Sequence, residues 1–156
     1  MRALGLDIGS RRIGTALSDH LGLLAAPWRT IMVGKGRELA EVAAMVAERE
    51  IEILVIGLPL SLDGSEGPQA QTVRAFVERL AAHLATARGK DAPPIPIEFA
   101  DERFTTAEAE RLLLERNLSR EERRARVDAA AAAIMLQDWL DARRPRQAPW
   151  HQRTDE

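Results

Sequence analysis

The sequence predicts an α/β fold in which one mixed sheet of five strands carries helices on both faces. Three observations support this prediction. Three short apolar segments follow one another near the start of the chain, as in an antiparallel meander. The remainder alternates helical periodicity with buried, strand-like runs. Finally, 156 residues with 46% hydrophobic content fit one domain with a substantial core.

The antiparallel part of the sheet is predicted from the start of the chain. Residues 3–8 and 13–18 are apolar segments joined by a Gly-Ser-Arg-Arg turn, which indicates a β-hairpin. Residues 28–33 supply a third β segment after an apolar connection. We expect these three strands to pair antiparallel.

The other strands are predicted to alternate with helices. Apolar side chains recur at helical spacing over residues 39–47 and 73–84, with a buried strand over 51–56 between them. Residues 95–100 supply the last strand. In sheets of this kind ligands bind at the carboxyl ends of the parallel strands, which here lead into the loop 58–68 and into the segment after the last strand.

Two capping boxes mark the beginnings of the last helices. The box at residues 105–108 predicts a helix that ends near Arg116. The box at residues 119–122 predicts a second, Ala-rich helix that continues to about Arg143. Both helices follow the last predicted strand.

Composition excludes several kinds of chemistry. The chain has no cysteine, which removes disulfides, thiol nucleophiles and Cys-ligated zinc and favours a reducing cytoplasm. No stretch approaches the ~20 apolar residues of a membrane span, so we expect no membrane partner. The net charge is -2, so a nucleic-acid surface has to be a local patch. We expect one domain over residues 1–143 and a flexible polar tail over residues 144–156.

Asp7 is the most informative residue, because it is a carboxylate inside an apolar strand. Keeping such a charge buried costs several kcal/mol unless a partner compensates it. Three interpretations are open. Asp7 can anchor the following turn through backbone N–H groups, hold Mg²⁺ in a metal-dependent nuclease, or open the phosphate loop of an actin-like or sugar-kinase-like ATPase. The chain is too short for a two-lobed kinase, so the ATPase is the weakest interpretation.

Another acid is expected to join Asp7 from the end of the last strand. Asp101 and Glu102 both follow that strand directly. Strand alternation places their side chains on opposite faces, but alternation is a loose rule at a strand end. The spacing alone therefore leaves the choice between these two acids open.

The last helix offers a third acid, from among Asp128, Asp138 and Asp141. Asp138 lies about 15 Å along the helix axis from Asp128, so only one of them can share a site with Asp7. We favour Asp128, because the alanines at 129–133 let the helix approach the sheet closely.

Each acid also has a simpler explanation. Glu102 can pair with Arg103 or favour the start of a helix, and Asp128 can pair with Arg124 four residues earlier. Three inward carboxylates, however, suit Mg²⁺, which takes one or two carboxylates, keeps several waters and accepts phosphate oxygens. Two such ions about 3.5 to 4 Å apart would activate a water and stabilise a departing 3′ oxygen.

Basic side chains accompany these acids. Two arginines occupy the turn directly after Asp7, and residues 116–126 contain five arginines against two glutamates. A turn beside a metal site is where a backbone phosphate would arrive. The alternative for the second cluster is a solvated helix face with ion pairs. The predicted phosphate contacts are Arg11, Arg12, Arg124 and Arg126.

Four segments, in this order, resemble the YqgF family, also called RuvX, of bacterial RNase H-like proteins: LGLDIGSRRIGTALSD, VIGLPLSLDGSEGPQAQTVRAF, DERFTTAEAE and VDAAAAAIMLQDWLD. The resemblance extends from about Leu4 to Asp141, nearly the whole chain. It implies an RNase H-like fold and a divalent-metal phosphodiesterase site with Mg²⁺ or Mn²⁺ as the cofactor. The implied catalytic and metal-binding residues are Asp7, Glu102 and Asp128.

The resemblance also implies substrates. Members of the family are described as nucleases that mature the 5′ end of pre-16S rRNA and as Holliday junction resolvases. We favour the rRNA, so the expected partners are pre-16S rRNA or branched DNA, and ribosomal particles. Arg103 belongs to the matching Asp-Glu-Arg motif and is a further expected phosphate contact. The main rival is a non-catalytic RNA-binding factor of ribosome assembly that kept the fold.

Overall fold

A computed structural model describes residues 1–102 and 119–145. Those ranges contain five strands and three helices. The strands are β1 (Ala3–Ile8), β2 (Arg12–Ser18), β3 (Ala25–Met32), β4 (Ile53–Leu58) and β5 (Ile97–Asp101), and the helices are α1 (Arg37–Glu48), α2 (Pro68–Arg88) and α3 (Arg120–Arg143). The helix predicted from the box at 105–108, and the tail beyond residue 145, lie outside the described residues. No helix in the described ranges is long and apolar enough to cross a membrane.

The strands form one mixed sheet in the order β3-β2-β1-β4-β5. β2 is antiparallel to both β1 and β3, whereas β4 lies parallel to β1 and β5 parallel to β4. This arrangement confirms the predicted mixed α/β fold. The bounds of the strands differ from the prediction by up to three residues. The third strand begins at Ala25, and the fourth begins at Ile53, two residues after the buried Ile51.

Different helices cover the two faces of the sheet. On one face, Leu4 of β1 packs in a cluster with Val42 of α1 and Leu80 of α2. On the other face, Ala3 packs in a cluster with Leu136 of α3. Because successive strand side chains point to opposite faces, the odd-numbered residues of β1 face α3. Asp7 therefore points toward α3.

Glycines allow α3 to lie very close to the sheet. A Cβ on Gly14 of β2 would stand 2.0 Å from the backbone oxygen of Asp128, and one on Gly5 would stand 3.1 Å from Leu136 Cβ. Gly14 is also the partner of Asp7 in the β1–β2 register. The missing side chain of Gly14 thus lets α3 bring Asp128 down beside Asp7.

Replacing Gly14 by Ala is expected to destabilise the protein, because the new methyl group would overlap the backbone of Asp128 and push α3 off the sheet. Overpacking of this kind typically costs about 1 to 3 kcal/mol. The measurement is urea unfolding of G14A beside G34A, whose added methyl group meets nothing within 4 Å. Equal unfolding midpoints for the two variants would contradict the close packing.

Candidate metal and nucleic-acid site

Three carboxylates meet at the carboxyl-terminal edge of the parallel strands. Asp7 lies near the end of β1, Glu102 follows β5, and Asp128 lies in α3. All of them line one cleft of about 260 Å³. The structure therefore brings together the acids that the sequence selected. The rest of the lining is formed by Ile8, Gly9, Pro59 and Gln69.

Strand alternation decides between Asp101 and Glu102. Glu98 of β5 faces α3, because Trp139 Nε1 donates a hydrogen bond to Glu98 Oε2 at 2.9 Å. Glu102 continues the same alternation beyond the strand, whereas Asp101 is exposed on the other side. A Cβ on Gly57 would stand 2.8 Å from the carboxyl carbon of Glu102. Gly57 thus leaves the room that the Glu102 carboxyl group occupies.

Asp7 and Glu102 are joined by a hydrogen bond between their side chains. Burial raises the pKa of Asp7 above its ordinary value, the hydrogen bond from Glu102 lowers it, and the charge of Asp128 raises it. Burial raises the pKa of Glu102 most, and the hydrogen bond to Asp7 and the charges of Asp7 and Asp128 add to it, to about 10. Two carboxyl groups this close do not both ionise, so Glu102 retains a proton at neutral pH and donates it to Asp7.

Asp128 has a different partner. Arg12 Nε donates to Asp128 Oδ2 at 2.5 Å, and both side chains are about a quarter exposed. The partner of Asp128 is therefore Arg12 of β2, and not Arg124 of the same helix. The sequence predicts a phosphate contact for Arg12, and the structure places its guanidinium on a carboxylate of the cleft.

Two of the three acids suit a divalent cation. Within residues 1–102 and 119–145, no three His, Asp or Glu side chains are arranged as a group that could hold a metal ion. The Asp7–Glu102 pair nonetheless offers two adjacent carboxyl groups, which become ligands for a hard cation once the shared proton is released, and Mg²⁺ needs no more than one or two carboxylates. Because Gly57 has no side chain, the fold accommodates the carboxyl group of Glu102 beside Asp7.

Three of the predicted phosphate contacts lie in segments that also contribute to the cleft. Arg11 is exposed on the turn between β1 and β2, and Arg124 and Arg126 are exposed in the first turns of α3. In the part of the chain that the structure describes, none of these arginines forms an ion pair within 4.0 Å. Arg103 lies outside the described residues.

Sequence reasoning missed three residues of the site. Gly14 and Gly57 make room for Asp128 and Glu102, and Gln69 lines the cleft from the first turn of α2. A glycine inside a strand was the available signal for the first two, because it often marks close approach by another group. Gln69 carried no signal, since a polar residue is ordinary in the first turn of a helix.

Two other features contribute little to the site. The loop 58–68 leaves the ligand-binding edge of the sheet, as the sequence predicts, but only Pro59 of this loop lines the cleft. A bridge between Leu60 and Glu66 closes the loop on itself. A larger groove of about 620 Å³ lies at the opposite end of the sheet, between the end of α2 and the start of β5. It is lined by no carboxylate or histidine of the described residues, so it offers no comparable chemistry.

Comparison with known sequences places the chain in a family. The family model RuvX, described as Holliday junction resolvase, matches residues 1–142. A relative from Myxococcus xanthus (strain DK1622) is 42% identical over 97% of this chain and 95% of its own length. One from Anaeromyxobacter sp. (strain Fw109-5) is 47% identical over 92% of this chain and 98% of its own length. Both relatives are named as candidate pre-16S rRNA nucleases.

Solved structures share the fold. Thermus thermophilus RuvC, in complex with a Holliday junction substrate, matches with a TM-score of 0.55 at 17% identity and covers 92% of this chain and 95% of its own. The fowlpox virus Holliday junction resolvase matches with a TM-score of 0.50 at 10% identity, over 91% and 99%. These likenesses confirm the RNase H-like fold. With the family match and the relatives above, they show that the chain belongs to the RuvX family of nucleases, which hydrolyse phosphodiester bonds.

Proposed function

We propose that the chain is a metal-dependent endonuclease that processes the 5′ end of pre-16S rRNA. One observation carries the catalytic part of this proposal, namely that carboxylates from three distant segments line a single cleft. The substrate follows from the names of relatives that match nearly the whole chain. The catalytic and metal-binding residues are Asp7, Glu102 and Asp128. We place the protein in the cytoplasm, where it would act on ribosomal particles.

Asp7 and Glu102 would hold the metal, Mg²⁺ or Mn²⁺, and Asp128 would complete the donor set. When bound, such a cation supplies Lewis acidity that activates a water and stabilises the charge on the departing oxygen. Only ionised carboxyl groups are ligands, so Glu102 has to release the proton that it shares with Asp7. Metal affinity should therefore rise with pH.

Arg12 would both orient Asp128 and bind the substrate. A guanidinium group carries five N–H donors, and the contact with Asp128 uses Nε. The remaining donors stay available for a phosphate oxygen, with the planar geometry that suits phosphate. Further phosphate contacts come from Arg11, Arg103, Arg124 and Arg126.

A Holliday junction resolvase is the second candidate, because the description of the matching family model names that activity. The same carboxylates would serve RNA or branched DNA, since the hydrolysed bond is a phosphodiester in both. A non-catalytic factor that docks RNA in ribosome assembly is the third.

Asp7→Asn is expected to abolish cleavage of a pre-16S rRNA 5′ leader in Mg²⁺ or Mn²⁺. Loss of a ligand removes several kcal/mol of transition-state stabilisation, or roughly 10³-fold or more in kcat. The assay compares the leader with a four-way DNA junction. Asp101→Asn is the matched control, because this exposed acid lies one residue from Glu102 and on the other face.

The substrate that wild type cuts decides between the first two candidates. Cleavage of the leader that survives in D7N would contradict the assigned site. RNA binding without cleavage of either polymer by wild type would make the non-catalytic factor the correct reading.

Glu102→Gln is expected to stabilise the metal-free protein above about pH 5. The folded-state pKa of Glu102 is raised from 4.5 to about 10, so the folded protein holds a proton that the unfolded chain releases. The free energy of unfolding of wild type should therefore fall as pH rises through this window, and glutamine removes the effect. Thermal melts in EDTA should show a Tm higher by a few degrees at pH 8, since 1 kcal/mol moves Tm by roughly 2 to 4 °C for a domain of this size.

The control for this variant is Glu78→Gln, which changes an exposed acid on α2. Addition of Mn²⁺ at pH 8 should raise the Tm of wild type and of E78Q and leave that of E102Q unchanged. A lower Tm for E102Q than for wild type in EDTA at pH 8 would show that Glu102 is not a source of electrostatic strain.

A further inference from the structure

A basic patch outside the cleft carries a further inference, which rests on the proposed function. The patch, which we call the β3-edge patch, consists of Arg11 on the β1–β2 turn and of Lys35 and Arg37 at the junction of β3 and α1. All three side chains belong to exposed residues. Among the described residues, none of the three has a carboxylate within 4.0 Å.

Some of the described arginines outside the patch have an acidic partner. Six arginines each contact a carboxylate: Arg12, Arg29, Arg49, Arg74, Arg143 and Arg144. The chain as a whole has a net charge of -2, so acids are not scarce. Three neighbouring cations without an acidic partner therefore form a local positive field in a slightly acidic protein.

The β3-edge patch lies at the same edge of the sheet as the cleft. β1 and β3 are both antiparallel to β2, so they run in the same direction and end at this edge. The backbone N–H of Val33 donates to the carbonyl of Arg11 at 2.9 Å and joins the two loops of the patch. β3 lies two strand spacings from β1, or roughly 10 Å, which is about three phosphates along a stacked strand.

The loop that carries Lys35 has a defined conformation. Lys35 and Gly36 have φ angles of 57° and 75°, in the left-handed region. Glu38 is buried and accepts a hydrogen bond from the Gly34 backbone N–H at 3.2 Å. The carboxylate of Glu38 is thus turned toward the backbone and away from solvent. Lysine is less stable than glycine in the left-handed region, and an exposed side chain gains no burial that would offset this cost.

We propose that Lys35 and Arg37, together with Arg11, bind the phosphates of the RNA strand that leaves the cleft across β2 and β3. Such contacts position a strand without reading its bases. The patch extends the site from the cleaved bond to a flanking segment of the RNA. An RNA that ends close to the cut lacks this segment and gains nothing from the patch.

The test is RNA binding by a Lys35→Glu/Arg37→Glu variant in the Asp7→Asn background, in which the RNA stays intact. The matched control is Arg88→Glu/Lys90→Glu, which reverses one exposed Arg and one exposed Lys at the opposite end of the sheet. Both variants have the same net charge, so a general electrostatic effect changes them equally. A Lys35→Gln/Arg37→Gln variant repeats the test without charge reversal.

Affinity is measured against salt for a long pre-16S leader RNA and for short RNAs that end within about two nucleotides of the cut on either side. We expect the glutamate variant to lose at least about tenfold in affinity for the long RNA, and the slope of log K against log salt to become shallower by about 1.4 for two lost contacts. The short RNA that lacks the flanking segment should bind equally to all variants. The glutamine variant should also lose affinity for the long RNA and not for the short one, but by a smaller factor than the glutamate variant.

Three outcomes would overturn the inference. The glutamate variant could match the control in affinity and salt slope on the long RNA, or it could lose affinity equally for long and short RNAs. Either result would leave the proposed nuclease function intact. Absence of RNA binding by the Asp7→Asn parent would overturn the inference and the RNA substrate together. Thermal melts of each variant establish that a lost affinity does not reflect unfolding.

Discussion

The contact between α3 and the sheet at Gly14 is the constraint on which the site depends. Asp128 belongs to a helix that is more than a hundred residues from Asp7 in sequence, and it reaches the cleft because Gly14 has no side chain in the way. Gly57 makes the corresponding room for Glu102. The site therefore depends on these two glycines as much as on its carboxylates, since a methyl group at either glycine would displace an acid.

The acids that this packing brings together oppose the stability of the fold. Burial and mutual repulsion make Glu102 retain a proton that it shares with Asp7, and Arg12 balances the charge of Asp128. A protein selected for stability alone would replace such a group by neutral or apolar residues. Retention of this arrangement is expected where a cation and a phosphate take over the compensation during function.

Among the described residues, cations without an acidic partner are found near the acids of the cleft. Most described arginines away from the cleft edge contact a carboxylate, whereas the β3-edge patch and the first turns of α3 leave several cations uncompensated beside the acids. Positive charge around a cluster of carboxylates attracts a polyanion that the carboxylates alone would repel. The low net charge of the chain therefore does not prevent nucleic-acid binding, because the relevant field is local.

The sequence by itself determined the fold class, the strand and helix order, and the identity of the family, because hydrophobic periodicity and the motif around Asp7 are local properties. It also selected Asp7 and Asp128, the second from the alanines that follow it. Spacing left the choice between Asp101 and Glu102 open, the family resemblance implied Glu102, and the tertiary structure supplies the physical reason, because Gly57 leaves room for the Glu102 carboxyl group. Only the tertiary structure replaced Arg124 by Arg12 as the partner of Asp128 and placed the loop that carries Lys35 beside the turn that carries Arg11. Each of these depends on which segments lie side by side in space, and sheet order and helix packing set that proximity while spacing along the chain does not.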